Sequence, residues 1–204
     1  MLISDESFSR FIKPLVFAVS LLPVLALIMG LIHDNLGANP VESLIRNTGD
    51  WALRFLLITL AISPLRRRLA WVQALKLRRM FGLFSFFYAS LHVLLYTVLD
   101  QALDWEEVVQ DILERPFILM GFLAFLFMLP LAITSTRAMM RRLGAKWKKL
   151  HQLIYLIIIL ALLHFWWMKD AKADISEPLW YAALATLLLG ERVFNVWQSR
   201  ATRV

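Results

Sequence analysis

The chain predicts an all-α integral membrane protein: a bundle of six transmembrane helices with both termini in the cytoplasm. Three observations carry that expectation. Of its 204 residues, 60% are hydrophobic, well above the roughly 45–50% apolar share of a soluble domain, and mean hydropathy is +0.65. The apolar residues fall in runs long enough to cross a hydrocarbon core of about 30 Å. The charged residues lie between those runs and alternate in sign from one connection to the next.

The expected spans cover residues 14–32, 51–65, 80–99, 116–136, 150–168 and 178–197. The first is uncharged from Pro14 to Ile32. That is long for a signal-peptide core, and no small-residue cleavage site follows it closely, so it reads as a membrane helix. The second is short, with Arg54 near its outer end and Pro64 near its inner end, and needs flanking residues or local bilayer thinning to cross. The third contains His92; the fourth opens on Pro116, which suits a first helical turn. The fifth carries His151 and His164, and the sixth is interrupted by Glu191 and Arg192. No repeat or low-complexity segment is visible. No hydrophilic stretch is long enough for a soluble domain, so residues 1–204 read as one transmembrane domain and any soluble partner as a separate chain.

Charge sets the orientation. Arg10, Lys13, the second–third connection (Arg66, Arg67, Arg68, Lys76, Arg78, Arg79), the fourth–fifth connection (Arg137, Arg141, Arg142, Lys146, Lys148, Lys149) and Arg192, Arg200 and Arg203 lie on one side. Of the 22 Lys and Arg residues, only Arg46, Arg54, Arg115, Lys169 and Lys172 fall on the other side, and of the 15 acidic residues only Asp5, Glu6 and Glu191 fall on the basic side. The positive-inside rule makes the basic side cytoplasmic. The net charge of +7 is thereby a matter of topology rather than of nucleic-acid binding. Trp51, Trp105, Trp166 and Trp167 fall near the outer boundary, where amphipathic rings favour the interface. The outer segment Asp100–Arg115 has apolar residues at helical spacing; it reads either as a helix along the membrane surface or as a solvated acidic loop.

The chemistry is concentrated in three of the four histidines. Titratable side chains are costly in hydrocarbon and mark sites there. The third and fifth spans both run outward. By helix rise, His92 lies roughly 18 Å and His164 roughly 21 Å from the inner edge, so neighbouring helices would bring the two imidazoles face to face, as bundle cores do for cofactors. With no cysteine in the chain, c-type attachment, iron–sulfur clusters and disulfides are excluded. Two imidazoles on one iron make a non-covalent b-type haem, closed to dioxygen and suited to electron exchange.

His151 lies about 19.5 Å nearer the cytoplasm than His164, level with Arg78 and Arg79. A second haem with His151 as one ligand and Arg78 or Arg79 at its propionates is one reading; an interfacial structural histidine is the other. Arginine stays protonated and is a poor iron ligand. On one straight helix His151 and His164 would point about 140° apart, so a shared face requires a bend, a π-bulge or a helix that starts after His151. His33, at the outer end of the first span, reads as an ordinary interfacial residue.

The segments Leu36–Pro40 (LGANP), Gly82–His92 (GLFSFFYASLH) and Thr134–Tyr155 (TSTRAMMRRLGAKWKKLHQLIY) closely resemble the MsrQ (YedZ) family, part of the ferric-reductase-like transmembrane group. The resemblance runs from about Leu22 to Trp180. It implies a six-helix b-type cytochrome of the bacterial inner membrane, a non-catalytic subunit passing electrons to a periplasmic molybdopterin enzyme that reduces methionine sulfoxide in oxidised proteins. It also implies FMN beside haem b, and electrons from the quinone pool or a cytosolic flavin reductase. His92, His151 and His164 match the family's histidines, and Arg78 and Arg79 its basic pair. The wider group commonly carries two histidines on each of two helices; here Arg78 stands in the fourth position. The remaining readings are a self-contained ferric reductase or oxidase, which would want a fused flavin–nicotinamide domain, and a histidine-dependent transporter or proton pathway.

Overall fold

In the computed structural model, which describes residues 5–170 and 175–201, every regular element is helical and no strand is present among them. Lys172 and Arg203 lie outside the described residues, as do the side chains of Asp5 and Arg200. A π-turn at Phe8–Ile12 leads into α1, Lys13–Ile32. Then follow α2 (Pro40–Leu69), α3 (Leu75–Leu95, continued by a π-turn over Tyr96–Asp100), α4 (Trp105–Glu114) and α5 (Pro116–Ile133). The chain ends in α6 (Arg137–Leu143), α7 (Ala145–Leu150), α8 (Ile154–Asp170) and α9 (Ser176–Ala201).

Four segments are long and apolar enough to cross a membrane: Phe8–Ile32, Val72–Asp100, Pro116–Ile133 and Ala145–Lys169. They match the first, third, fourth and fifth expected spans. The second and sixth correspond to α2 and α9, helices of 30 and 26 residues that fall short of the same apolarity. The second span is therefore not a short helix: α2 continues outward past Trp51 through charged turns. Its N-terminus is well specified. Asn39 accepts a hydrogen bond from the Glu42 amide (3.2 Å) and Pro40 occupies the first turn, a favoured cap and N1 pair. Glu42 pairs with Arg46 at 2.6 Å, and Asp50 with Arg54 at 3.6 Å. Each acid precedes its base by four residues, the favourable order on a helix.

The bundle is built on two tightly packed helix pairs, α2 with α3 and α5 with α8, with α9 lying against α8 and α2. Their shared core joins Leu56, Leu57 and Leu60 of α2, Met128 of α5, Ile157 and Ile158 of α8 and Leu188 of α9. A second, aromatic cluster stacks Phe55 between Phe84 and Tyr88, with ring centroids 5.5 and 5.4 Å away. The apolar side chains of α1 are largely exposed, Leu15, Leu22 and Ile32 among them. A face of that kind suits lipid rather than water.

The expected outer segment Asp100–Arg115 contains a true helix, α4, capped by Asp104, which accepts from the Glu106 and Glu107 amides. Asp111 ties it to the bundle: its carboxylate accepts from the Tyr96 hydroxyl (2.7 Å) and Gln101 (3.2 Å) and pairs with Arg115 (3.1 Å).

One lock holds α1 in place. Pro23 interrupts the helix ladder, and the Tyr88 hydroxyl from α3 inserts beside it. It donates to the Ser20 carbonyl (2.9 Å) and accepts from the Val24 amide (3.2 Å), two groups that otherwise pair directly, four residues apart. Backbone polar groups beside an internal proline gain from a further partner inside a membrane. Tyr88 is fully buried. Tyr88→Phe removes both bonds that tie α1 to α3 here and is expected to cost about 1–2 kcal/mol, read as a lower thermal midpoint of the detergent-solubilised protein.

Candidate functional site

His92 on α3 and His164 on α8 meet in the outer half of the bundle. Their ring centroids are 6.0 Å apart and their planes lie 79° from each other. Arg78, near the start of α3, acts electrostatically on His151, just before α8. So α3 and α8 run in the same direction and face each other across the bundle, and the two depths read from the sequence come together in space.

Each outer imidazole is held in the same way. His92 Nδ1 lies 2.8 Å from the carbonyl oxygen of Ile45, and His164 Nδ1 lies 2.7 Å from that of Phe117. A carbonyl only accepts, so Nδ1 carries the proton in both rings and Nε2 keeps its lone pair. Neither Nε2 has a hydrogen-bond partner among the described residues. Glycine stands four residues after each acceptor carbonyl, Gly49 after Ile45 and Gly121 after Phe117. The acceptor lies 47 residues before the histidine in both cases. Sequence reading found no repeat, yet the site is assembled from two half-sites of one design.

These residues fit a metal that brings most of its own ligands. Among the described residues no three His, Cys, Asp or Glu side chains converge, so a bare cation would be under-coordinated. A porphyrin supplies four nitrogens and asks the protein for two axial ones. An imidazole nitrogen binds a first-row metal at about 2.0–2.1 Å and the ring adds a little over 1 Å to its centre, so opposed ligands have centres roughly 6 Å apart.

His151 does not join this pair. It opens a three-residue 3-10 turn, His151–Leu153, between α7 and α8, so the regular helix starts after it. The tighter winding cuts the angular offset from His164 from about 140° to about 80°. Its ring stacks on Trp147 with centroids 3.9 Å apart and its Nδ1 donates to the Trp147 carbonyl (3.1 Å). Trp147 is in turn pinned by its indole N–H on the Thr134 carbonyl (3.0 Å). Much of the Thr134–Tyr155 segment is thus one brace around His151.

His151 Nε2 is buried without a hydrogen bond, and so is Arg192 Nε; no other side-chain atom of the described residues shares that state. Arg192 donates to the Tyr155 hydroxyl (2.6 Å) and the Leu60 carbonyl (2.8 Å). Arg78, half-buried, acts electrostatically on Arg192, Tyr155 and His151. Two guanidiniums and an open imidazole nitrogen therefore gather near the N-terminal ends of α3 and α8. Arg79 follows Arg78, half-buried, and His33 is exposed at the end of α1. Arg192 was legible only as a charge interrupting the sixth span; its inward role comes from α9 packing against α2 and α8.

Fold and site define a multi-pass helical membrane protein with an intramembrane bis-imidazole pair. Residues 48–162 match the family described as Ferric reductase like transmembrane component, a stretch that includes Gly49, His92, Gly121 and His151 and stops just short of His164. The chain is 49% identical over 191 residues (93% of this chain, 88% of the relative) to the protein-methionine-sulfoxide reductase haem-binding subunit MsrQ of Herminiimonas arsenicoxydans. It is 50% identical over 189 residues (93% and 92%) to that of Bordetella pertussis, and 51% over 169 residues (83% and 77%) to that of Xanthomonas euvesicatoria. No solved structure matches. The chain belongs to the MsrQ family.

Arg192→Gln keeps side-chain polarity but removes the charge facing Arg78. It is expected to weaken retention of any anionic group at the inner end while leaving the outer pair's absorption spectrum unchanged, measured on the purified protein before and after gel filtration.

Proposed function

We propose that this chain is the haem-carrying, non-catalytic subunit that moves electrons outward across the bacterial inner membrane to a periplasmic molybdopterin-dependent methionine sulfoxide reductase. One observation carries the reading most: His92 and His164, 6.0 Å apart, each with Nδ1–H on a helix carbonyl. Haem supplies a one-electron ferric–ferrous couple when bound at such a site. The chain's own residues hold both imidazoles with Nδ1 protonated and Nε2 open, so His92 and His164 would hold the haem iron between them, which would favour electron exchange over dioxygen chemistry. The names of the relatives, all haem-binding subunits of a protein-methionine-sulfoxide reductase, support the same partner.

The inner cluster fits a second carrier. The outer pair sits in one half of a core about 30 Å thick, and His151, by helix rise about 19.5 Å inward, divides the crossing. In the second-haem reading, His151 Nε2 is an axial ligand and Arg78, Arg79 and Arg192 receive the propionates. A flavin reading also has a specific support: two guanidiniums with free donors suit the phosphate of FMN. Electrons would enter at this end, from the quinone pool or a cytosolic flavin reductase. Six crossings with cytoplasmic termini are supported by the charge alternation and by the lengths of α2 and α9.

Detergent-purified protein is expected to show a low-spin b-type spectrum. His92→Ala and His164→Ala should each abolish the outer haem signal and reduction of the partner by dithionite-poised protein. A normal low-spin spectrum in both variants would refute the pairing. Haem and flavin are then counted per chain in His151→Ala. The second-haem reading expects the haem count to halve; the flavin reading expects FMN to fall with haem unchanged. For topology, phosphatase fused after Ala201 should be inactive, and phosphatase inserted at Ala102 active.

A further inference from the structure

We infer that Gly49 and Gly121 are positioning residues of the outer site: each keeps open the helix carbonyl that fixes one axial imidazole. The inference rests on the proposed haem pair. It begins with helix geometry. A helical Cα–Cβ bond leans toward the N-terminus, so the side chain at position i+4 overhangs the carbonyl of residue i. That carbonyl already accepts one intrahelical bond and has a second lone pair. A slender hydroxyl or guanidinium can reach it past a side chain, as Ser85 reaches the Ala52 carbonyl beside Leu56, but a broad imidazole ring lying over that position has room where the overhang is missing. Ile45 and Phe117 are the two acceptors, and Gly49 and Gly121 stand four residues after them.

The distances agree. A Cβ built on Gly49 would lie 3.0 Å from His92 Nδ1 and 3.2 Å from its Cε1. On Gly121 it would lie 2.8 Å from His164 Nδ1, 3.0 Å from Cε1 and 3.1 Å from Cγ. The ring cannot retreat without giving up its 2.7–2.8 Å hydrogen bond. Other glycines lack this relation: Gly82 would meet only Thr59, at 3.7 Å, Gly190 meets nothing, and the tight contact of Gly30 is with the flexible Leu36 side chain. Glycine is a poor helix former, yet it sits inside α2 and α5 at the two equivalent places. Two separate helix pairs arrive at the same carbonyl, the same glycine offset and the same 47-residue separation. The Nδ1–H bond sets the tautomer, the ring plane and the basicity of Nε2. The glycines thus help to set the 79° between the planes.

The test uses full-length, haem-loaded protein in detergent, as parent, Gly49→Ala, Gly121→Ala and Gly82→Ala. Ferric EPR at low temperature reports the axial planes: near-perpendicular imidazoles give the large-gmax type of low-spin signal, parallel ones the rhombic type. The parent should show the large-gmax signal and Gly82→Ala should match it. Gly121→Ala, with the closest contact, should lose it and bind severalfold less haem per chain. Gly49→Ala, where the ring can yield by a few tenths of an ångström, should keep most haem with a shifted gmax. Should Gly121→Ala fail to elute as a monodisperse protein, Gly49→Ala decides alone. Unchanged gmax and haem content in the glycine variants overturns the inference while leaving the haem pair standing. A parent without haem, or a low-spin signal that survives His92→Ala and His164→Ala, overturns both.

Discussion

A neutral imidazole inside hydrocarbon has one N–H that must be satisfied, and almost every backbone acceptor around it is already engaged. The outer site resolves this with the second lone pair of a helix carbonyl, and much of the bundle follows from that choice. Each histidine helix needs a partner running beside it with an uncovered carbonyl at matching depth. α2 serves α3 and α5 serves α8, and these are the two closely packed pairs of the fold. Bringing the pairs together places the open Nε2 edges in one space. Coordination is thus prepared by backbone, not by a network of polar side chains that would each need partners of their own.

The inner end follows the opposite logic. The outer imidazole protons are satisfied by helix carbonyls. Around His151 one donor, Arg192 Nε, and one acceptor, His151 Nε2, are left open, and Arg78 adds a second guanidinium. Protein alone rarely keeps buried polar atoms in that state, so the inner end reads as half of an interaction. Glu191, the nearby acid, is occupied with Arg67 (3.3 Å) and Arg68 (3.7 Å) and does not relieve it.

How far these features were legible in the sequence depends on the range over which each is set. The pairing of His92 with His164 could be read because depth along a helix is a one-dimensional quantity, linear in residue number. Apolarity located the four cleanest spans for the same reason. The break after His151 could be framed as a requirement but not located, because a 3-10 turn differs from an α-turn by small local dihedral changes that Leu150–Ile154 does not advertise. The sequence does not single out Gly49 and Gly121: a glycine inside a helix shows its purpose only when the approaching ring is known. Their equal offsets from His92 and His164 were the available signal, and finding it requires comparing the two histidines as centres of a pattern. The inward contacts of Arg192 are not legible in the sequence because its partners, Leu60 and Tyr155, are far away along the chain.

The polarity of α2 is a consequence of the same design. This helix must pass close to α3 to present the Ile45 carbonyl, so it sits inside the bundle, touching α1, α3, α8 and α9. A helix shielded by others need not be apolar all round, and α2 carries Glu42, Arg46, Asp50 and Arg54 along its outer half. Its charges are answered locally: two i,i+4 ion pairs, an Arg54–Tyr181 hydrogen bond of 2.9 Å and the Trp51 ring under Arg54 at 4.9 Å. The i,i+4 relation therefore serves twice on one helix, pairing charges on one part of its surface and placing Gly49 over the Ile45 carbonyl on another. Hydropathy alone undervalues such a helix, since it scores side chains as though lipid surrounded each one. What lets α2 carry these charges is its enclosure by other helices, and that enclosure is what the histidine on α3 requires of it.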